Sequence, residues 1–386
     1  MVSRSFAIVG AGFSGAVVAR QLAEAGHQIT VFDSRSHVAG NCFTKRHESG
    51  VMVHVYGPHI FHTQNEHVWN FITRFGVMKA YRHTVSAMSG GKKYQLPMNL
   101  TLINDFFGTN FTPAQAEAFI AEKADKSITN PVSFEDQALR FVGRELYEAF
   151  FKGYTKKQWG VEPTMLPASI LARLPLRFTA DDSYFNHPFQ GIPEHGYTPI
   201  VEAILDHPSI NVHLSTEFNP SGAHAYDHVV WTGPIDAYFG FAHGRLGYRT
   251  LDFVQEVQDG DVQGCPVLNY CDESVPYTRI TEHKHFAPWE HHDKSVTYTE
   301  YSRLCTEADT PYYPIRLVEE KDQLVKYVEL ARAQRGVTFL GRLGTYRYLD
   351  MDVTIHEALN AASGMLEAIG ANTDIPSFFT DPLGGA

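Results

Sequence analysis

The run Phe6-Ala7-Ile8-Val9 is short and apolar without alternation, and glycines follow it at once. That pattern predicts a parallel strand buried on both faces. Ala16 to Ala25 then places apolar residues at helical spacing and stops at Gly26. Gln28-Ile29-Thr30-Val31-Phe32 resumes a strand, so residues 5–33 read as strand, tight turn, helix, strand. Phe6 to Ala19 also has the apolar content of a signal-peptide core. Glycines interrupt it and strand spacing resumes behind it, so it reads as structure.

Val51 to Val55 predicts another strand, leading into Tyr56-Gly57-Pro58-His59-Ile60-Phe61-His62. From about Leu100 to Leu174 the chain is dense in Ala, Glu, Lys and Phe at helical spacing, as in Phe134-Glu135-Asp136-Gln137-Ala138-Leu139-Arg140-Phe141. Several helices are expected there. Alternating, β-favouring segments return at Cys265 to Tyr270, Thr278 to Thr281 and Ser295 to Tyr301. Val337 to Gly341 predicts a last buried strand and Val353 to Ile369 a closing helix. The tail after Asn372 is expected to be loosely ordered.

Gly10-x-Gly12-x-x-Gly15 is weak evidence alone, but a strand precedes it, a helix follows, and Asp33 ends the next strand. Gly10 allows the tight turn, Gly12 lets backbone approach a pyrophosphate, and Gly15 lets helix and sheet pack closely. Phe13 and Ser14 open the helix whose amides face the phosphates, and Asp33 would accept from ribose hydroxyls. Arg35 and Ala39-Gly40-Asn41 continue as in flavoproteins, with Ala39 in place of a first glycine. The acid argues against a 2′-phosphate, and FAD is the expected cofactor. The fold class expected is α/β. A Rossmann-like FAD-binding domain (residues 1–80, 200–235 and 335–386) would carry an inserted helical bundle (99–180) and an antiparallel β-sheet domain (81–98, 181–199 and 236–334).

Composition changes this picture only at its edges. The 386 residues carry a formal charge of −11, which argues against nucleic acid and anionic membranes as partners. No stretch reaches the roughly 20 apolar residues of a membrane span, and Cys42, Cys265, Cys271 and Cys305 form no CxxC pair. A cytoplasmic protein with free thiols is expected.

Aromatic residues reach 13%, and several sit beside arginine: Pro276-Tyr277-Thr278-Arg279, Pro311-Tyr312-Tyr313-Pro314 and Gly341-Arg342 to Asp350. Guanidinium forks match phosphate oxygens and tyrosines add neutral donors, so a diphosphate ligand would suit the set. Structural ion pairs with Asp or Glu are the bland alternative. Phe150-Phe151-x-x-Tyr154-x-x-x-x-Trp159 reads either as core or as a platform for a flat base, with Tyr154 the best stacking candidate. His283, His285, His291 and His292 lack metal-ligand spacing, so no metal is expected. No G-x-S-x-G elbow is present.

The longer segments Tyr56-Gly-Pro-His59-Ile-Phe-His62, Phe150-Phe151-Lys-Gly-Tyr154-Thr-x-Lys-Gln-Trp159-Gly, Arg279-Ile-Thr-Glu-His-Lys and Gly341-Arg342-Leu-Gly-Thr-Tyr-Arg-Tyr348-Leu-Asp350-Met-Asp are far more specific than the glycines. Together they resemble the UDP-galactopyranose mutases of the bacterial type, from about Phe6 to Leu366. The resemblance implies an isomerase interconverting UDP-galactopyranose and UDP-galactofuranose for cell-surface polysaccharide. It also implies reduced FAD whose N5 attacks the anomeric carbon and displaces UDP, with NAD(P)H or another reductant needed only for activation. Arg173, on a mobile loop, and Arg279 would clamp the diphosphate, while Tyr184, Tyr313 and Tyr348 donate hydroxyls. Tyr154 with Phe150 and Phe151 would hold uridine, and Trp159 would border the sugar. His59, Arg342, Tyr348, Asp350 and Met351 would flank the flavin, and the enzyme would be a homodimer. An amine-oxidase-like flavin oxidoreductase or a nucleotide-sensing module would share the fingerprint but would leave the second arginine constellation unused.

Overall fold

A computed structural model describes residues 3–384 apart from 174 and 175; the side chains of residues 172, 173, 318 and 319 lie outside that description. Ser5–Val9 (β1) lies between Gln28–Phe32 (β2) and His228–Trp231, all parallel. Ile210–His213 extends this sheet beyond β2, and Val337–Phe339 extends it on the other side. Alternate residues serve opposite faces: Phe6, Ile8 and Val230 meet one apolar cluster, Ala7, Val229 and Trp231 another. The first cluster is filled by the helix Phe13–Glu24 (α1), by Tyr197–Leu205 and by the closing helix Met351–Ala371.

The second cluster corrects an expectation. Val318–Ala333, assigned from sequence to the sheet insertion, is a helix. Its Leu324, Tyr327, Val328 and Ala331 recur at helical spacing and are fully buried against Val229, Val337 and Phe339. The tail is also docked, not loose. Phe339 N donates to Ser377 O (2.8 Å), Thr338 Oγ1 to Pro376 O (2.7 Å), and Arg332 pairs with Asp381.

A seven-stranded sheet runs in the order Tyr313–Pro314, Tyr248–Asp259, Lys294–Leu304, Arg279–Glu282, Val267–Tyr270, Val85–Ser89, Lys92–Leu96. It is antiparallel except where Val267–Tyr270 runs parallel to Val85–Ser89. Tight hairpins force antiparallel neighbours, whereas these two strands are joined only through a long excursion that frees their direction. Residues 181–199 do not join this sheet: Phe189–Pro193 pairs with Phe61–Thr63 and Met78–Ala80 in a small separate one.

Against the seven-stranded sheet pack the helices Leu100–Phe107, Pro113–Lys123 and Phe134–Val142, followed by Arg144–Leu146, a π-helical stretch Tyr147–Lys152 and Gly153–Trp159. Asn99 and Ser133 cap two of them by accepting from Leu102 N and Asp136 N. The helical core closes on the large sheet at Gly153, where a Cβ would overlap the Cys271 carbonyl oxygen. Gly153→Ala should therefore cost ~1–3 kcal/mol as overpacking, read as a lowered unfolding midpoint; an unchanged midpoint would refute this seating.

Candidate functional site

The glycine turn is held by contacts that exclude side chains. Gly10 has φ +107° and abuts Thr232, and a Cβ on Gly15 would overlap the Gly10 carbonyl oxygen. Gly40 approaches so closely that its Cβ would stand 3.3 Å from Gly12 Cα. No side chain caps α1, which leaves its first amides as donors. Asp33 accepts from Ala11 N (2.8 Å) and Arg35 N (2.9 Å). A carboxylate has about four lone-pair sites, so capacity for ribose hydroxyls remains. Ala39 sits at φ +71° in the left-handed region, which is why a glycine is the easier residue there.

Arg35 Nη2 donates to Asn41 Oδ1 (2.9 Å), the guanidinium lies 4.8 Å over the Tyr56 ring, and Nη1 is buried with no partner. An orphaned buried cation beside this turn suits an anionic dinucleotide, so the residues present fit FAD. Gly341 (φ +79°) brings the third segment in: its Cβ would stand 2.5 Å from Ser14 Oγ. Arg342 then reaches Tyr312 O (3.3 Å) and Leu349 O and lies 4.8 Å over the Tyr348 ring. Phe13 is buried in the apolar core. Asp350 stands at the N-cap of the closing helix that Met351 opens.

His59 Nδ1 donates to Gly57 O (2.9 Å), which leaves Nε2 as an acceptor in the neutral ring. Burial, then the charges of Arg342 and Arg279, hold its pKa down to about 4. Arg279 itself pairs through Nε with Glu300 Oε2 (2.8 Å), a side chain 1% exposed. The ion-pair reading and the ligand reading thus both have a claim, because Nη1 and Nη2 have no partner among the described residues. Arg279 exerts its charge on Tyr154, Tyr184 and Tyr313, while burial raises all three phenol pKa values and keeps them protonated donors. Tyr313 stacks on Tyr348 at 5.7 Å, and its ring lies 6.4 Å from Trp159.

The aromatic stripe divides. Tyr154 and Trp159 are half-buried on Gly153–Trp159 and join this constellation, and Phe151 is half-buried one turn earlier. Phe150 is instead core, edge-on to Tyr94 (5.1 Å) and 5.4 Å from Phe106. The π-helical stretch changes the phase between Phe150 and Tyr154, which uniform helical spacing could not foretell. The Arg173 side chain lies outside the described residues. Sequence reading missed Glu300; the available signal was a charge at position 300 on the face that buries Val296 and Tyr298. Among the described residues one group has metal-like spacing, Asp261, Glu282 and His285. Glu282 there already accepts from Val262 N, Gln263 N and Ser295 Oγ, and Lys284 Nζ lies 3.8 Å from both carboxylates.

Residues 149–348 match the family model described as UDP-galactopyranose mutase, and residues 8–75 one described as an NAD(P)-binding Rossmann-like domain. A probable UDP-galactopyranose mutase of Klebsiella pneumoniae is 55% identical over 379 residues, covering 98% of this chain and 99% of the relative. The chain belongs to the UDP-galactopyranose mutase family. A dTDP-fucopyranose mutase of Escherichia coli is also close, 50% identical over 92% of this chain and 96% of its own. A crystal structure of reduced UDP-galactopyranose mutase superposes with TM-score 0.74 at 16% identity, covering 95% of this chain and 96% of that one, and shows the shared fold. Family membership makes this protein an isomerase and implies a flavin cofactor, which removes the oxidoreductase alternative. Among the described residues no helix is long and apolar enough to cross a membrane.

Burial depresses several histidines of this mutase besides His59: His83 and His283 to about 3, and His228 to about 4, from an ordinary 6.5. Between pH 6.5 and about 4 the unfolded chain binds protons there that the folded chain does not, so stability falls with falling pH. The slope is about 1.4 kcal/mol per pH unit per histidine. The contribution of these histidines should be flat above about pH 7, where the unfolded histidines are neutral too, and the thermal midpoint should drop through the window below it. A flat midpoint through that window would contradict the neutral histidines.

Proposed function

We propose that this mutase interconverts UDP-galactopyranose and UDP-galactofuranose, with FAD bound along Gly12, Gly40, Arg35 and Arg342 and active in its reduced form. The observation that carries the reading is Arg279: a half-buried guanidinium steadied through Nε, with both Nη groups open among protonated Tyr154, Tyr184 and Tyr313. That set suits a diphosphate that must be held while it departs. Bound reduced flavin supplies the nucleophile for the anomeric carbon. The chain's own residues bind and orient. Arg279 takes the diphosphate charge, with Arg173 proposed as a second clamp from the motif resemblance. Tyr313 and Tyr348 donate hydroxyls, Phe151 and Tyr154 form the base platform, and neutral His59 offers an acceptor beside the cofactor. Glu300, held by Arg279 and Thr278 Oγ1 (3.1 Å), is a partner and not a free general base.

The high identity to a dTDP-fucopyranose mutase supports a second reading, in which the nucleoside and sugar ends differ while the diphosphate clamp is the same. We further propose a cytoplasmic homodimer, divided into a dinucleotide-binding layer, a helical insertion and a sheet insertion.

Purified protein should be yellow and should convert UDP-galactofuranose to the pyranose only after reduction with dithionite or NAD(P)H, followed by chromatography of the two isomers. Full turnover with oxidised flavin, or none with reduced flavin, would sink the reading; a higher kcat/KM for dTDP-fucose isomers would favour the second. Arg279→Ala should retain flavin and lose roughly 10- to 150-fold in turnover, the equivalent of one charge-assisted contact. A near-normal rate would mean the clamp is misassigned.

A further inference from the structure

The two aromatic walls of the site come from separate parts of the chain. Trp159 ends the helix Gly153–Trp159, whereas Tyr313 lies in the short edge strand Tyr313–Pro314. Arg249 touches both supports. Its side chain is buried, 6% exposed, and has no carboxylate partner among the described residues. Nε donates to Gln158 O (3.1 Å) and Ser302 Oγ (3.2 Å), and Nη2 to Lys157 O (3.4 Å). Ser302 Oγ donates to the same Gln158 O at 2.7 Å.

The carbonyls of a helix's last turn lack intrahelical donors and carry the negative end of its dipole, so a cation there is favoured. A buried guanidinium without an acid would otherwise be costly. The backbone of Arg249 meanwhile pairs with Tyr313, and its carbonyl accepts from Tyr312 N (3.0 Å). One residue therefore grips the turn beneath Trp159 with its side chain and Tyr313 with its main chain. Gly160 leaves room for it: φ is +71°, and a Cβ would stand 2.5 Å from Arg249 Nη1. A second tie limits motion of the same helix, since Lys157 Nζ donates to the carbonyls of Tyr270 (2.7 Å), Asp272 (2.9 Å) and Tyr277 (3.0 Å).

We propose that Arg249 is a positioning residue of the mutase site, setting the spacing of Trp159 and Tyr313 and through it the fit of the nucleotide sugar. The inference rests on the proposed activity for its kinetic readout but not for its spectroscopic one. In flavin-loaded holoenzyme, Arg249→Met should raise KM for UDP-galactofuranose about 10-fold, with a smaller effect on kcat and unchanged flavin content. Arg249→Lys should recover part of the loss, and Ser302→Ala should raise KM in the same direction by about threefold. The Trp159 emission, isolated by subtracting the spectrum of the Trp159→Phe counterpart, should shift in Arg249→Met without any substrate present.

Wild-type KM and wild-type Trp159 emission in folded Arg249→Met would overturn the proposal. If that variant does not fold, wild-type KM and emission in Ser302→Ala would overturn it equally. Absence of turnover in the unaltered enzyme would instead count against the proposed activity, and the emission shift alone would then decide the role of Arg249.

Discussion

At Gly15 a Cβ would overlap the Gly10 carbonyl oxygen, and at Gly341 it would stand 2.5 Å from Ser14 Oγ. The start of α1 is therefore wedged between the Gly10 turn that follows β1 and Gly341, which packs on the Ser14 side chain. This close approach joins the two ends of the chain. β1 reaches Val337–Phe339 through one intervening strand, and α1 packs on the closing helix. The helices and the seven-stranded sheet lie between these two segments in the chain. The loop-closure cost of such long insertions grows only slowly with length, so a rigid base tolerates them.

The arginines of the proposed site reconcile an acidic protein with an anionic ligand. A charge of −11 is spread over the surface, where water and salt screen it. Arg35, Arg342 and Arg279 converge where screening is weak, and each is steadied by neutral oxygens, an aromatic face or one acid. The Arg279–Glu300 pair shows the compromise. Removing one partner of a pair whose acid is buried is strongly destabilising, so Glu300 keeps the arginine in place through Nε while its Nη groups have no partner among the described residues.

Much of this was legible in the sequence, and the failures have physical reasons. The glycine fingerprint, the flanking strands and the closing helix follow from local spacing, and they formed where expected. The helix Val318–Ala333 carried the same periodic signal but lay between strands, where the surrounding pattern masked it. The parallel pairing of Val267–Tyr270 with Val85–Ser89 is set by tertiary packing and leaves no local trace. In the site, the Arg–Tyr clusters were visible as composition. Glu300 and Arg249 were not, since their roles exist only across strands or between a strand and a helix end.

The surroundings of Arg279 explain why no acid–base pair stands out. In the proposed reaction, a group that donates to a departing diphosphate at neutral pH must not lose its proton, and a group beside a nucleophilic cofactor must not gain one. Burial achieves both at once, because desolvation disfavours whichever form is charged. It raises the phenols of Tyr154, Tyr184 and Tyr313 and lowers the imidazole of His59. The same desolvation strengthens the field of Arg279, the one charge in this set that cannot be neutralised by losing a proton. A fixed cation, paired through Nε with Glu300 and otherwise set among neutral hydroxyls, is thus a consequence of how the helix Gly153–Trp159 and the strand Tyr313–Pro314 bury the site. Depth of burial, set by the packing of these two segments, selects the chemistry available to each side chain.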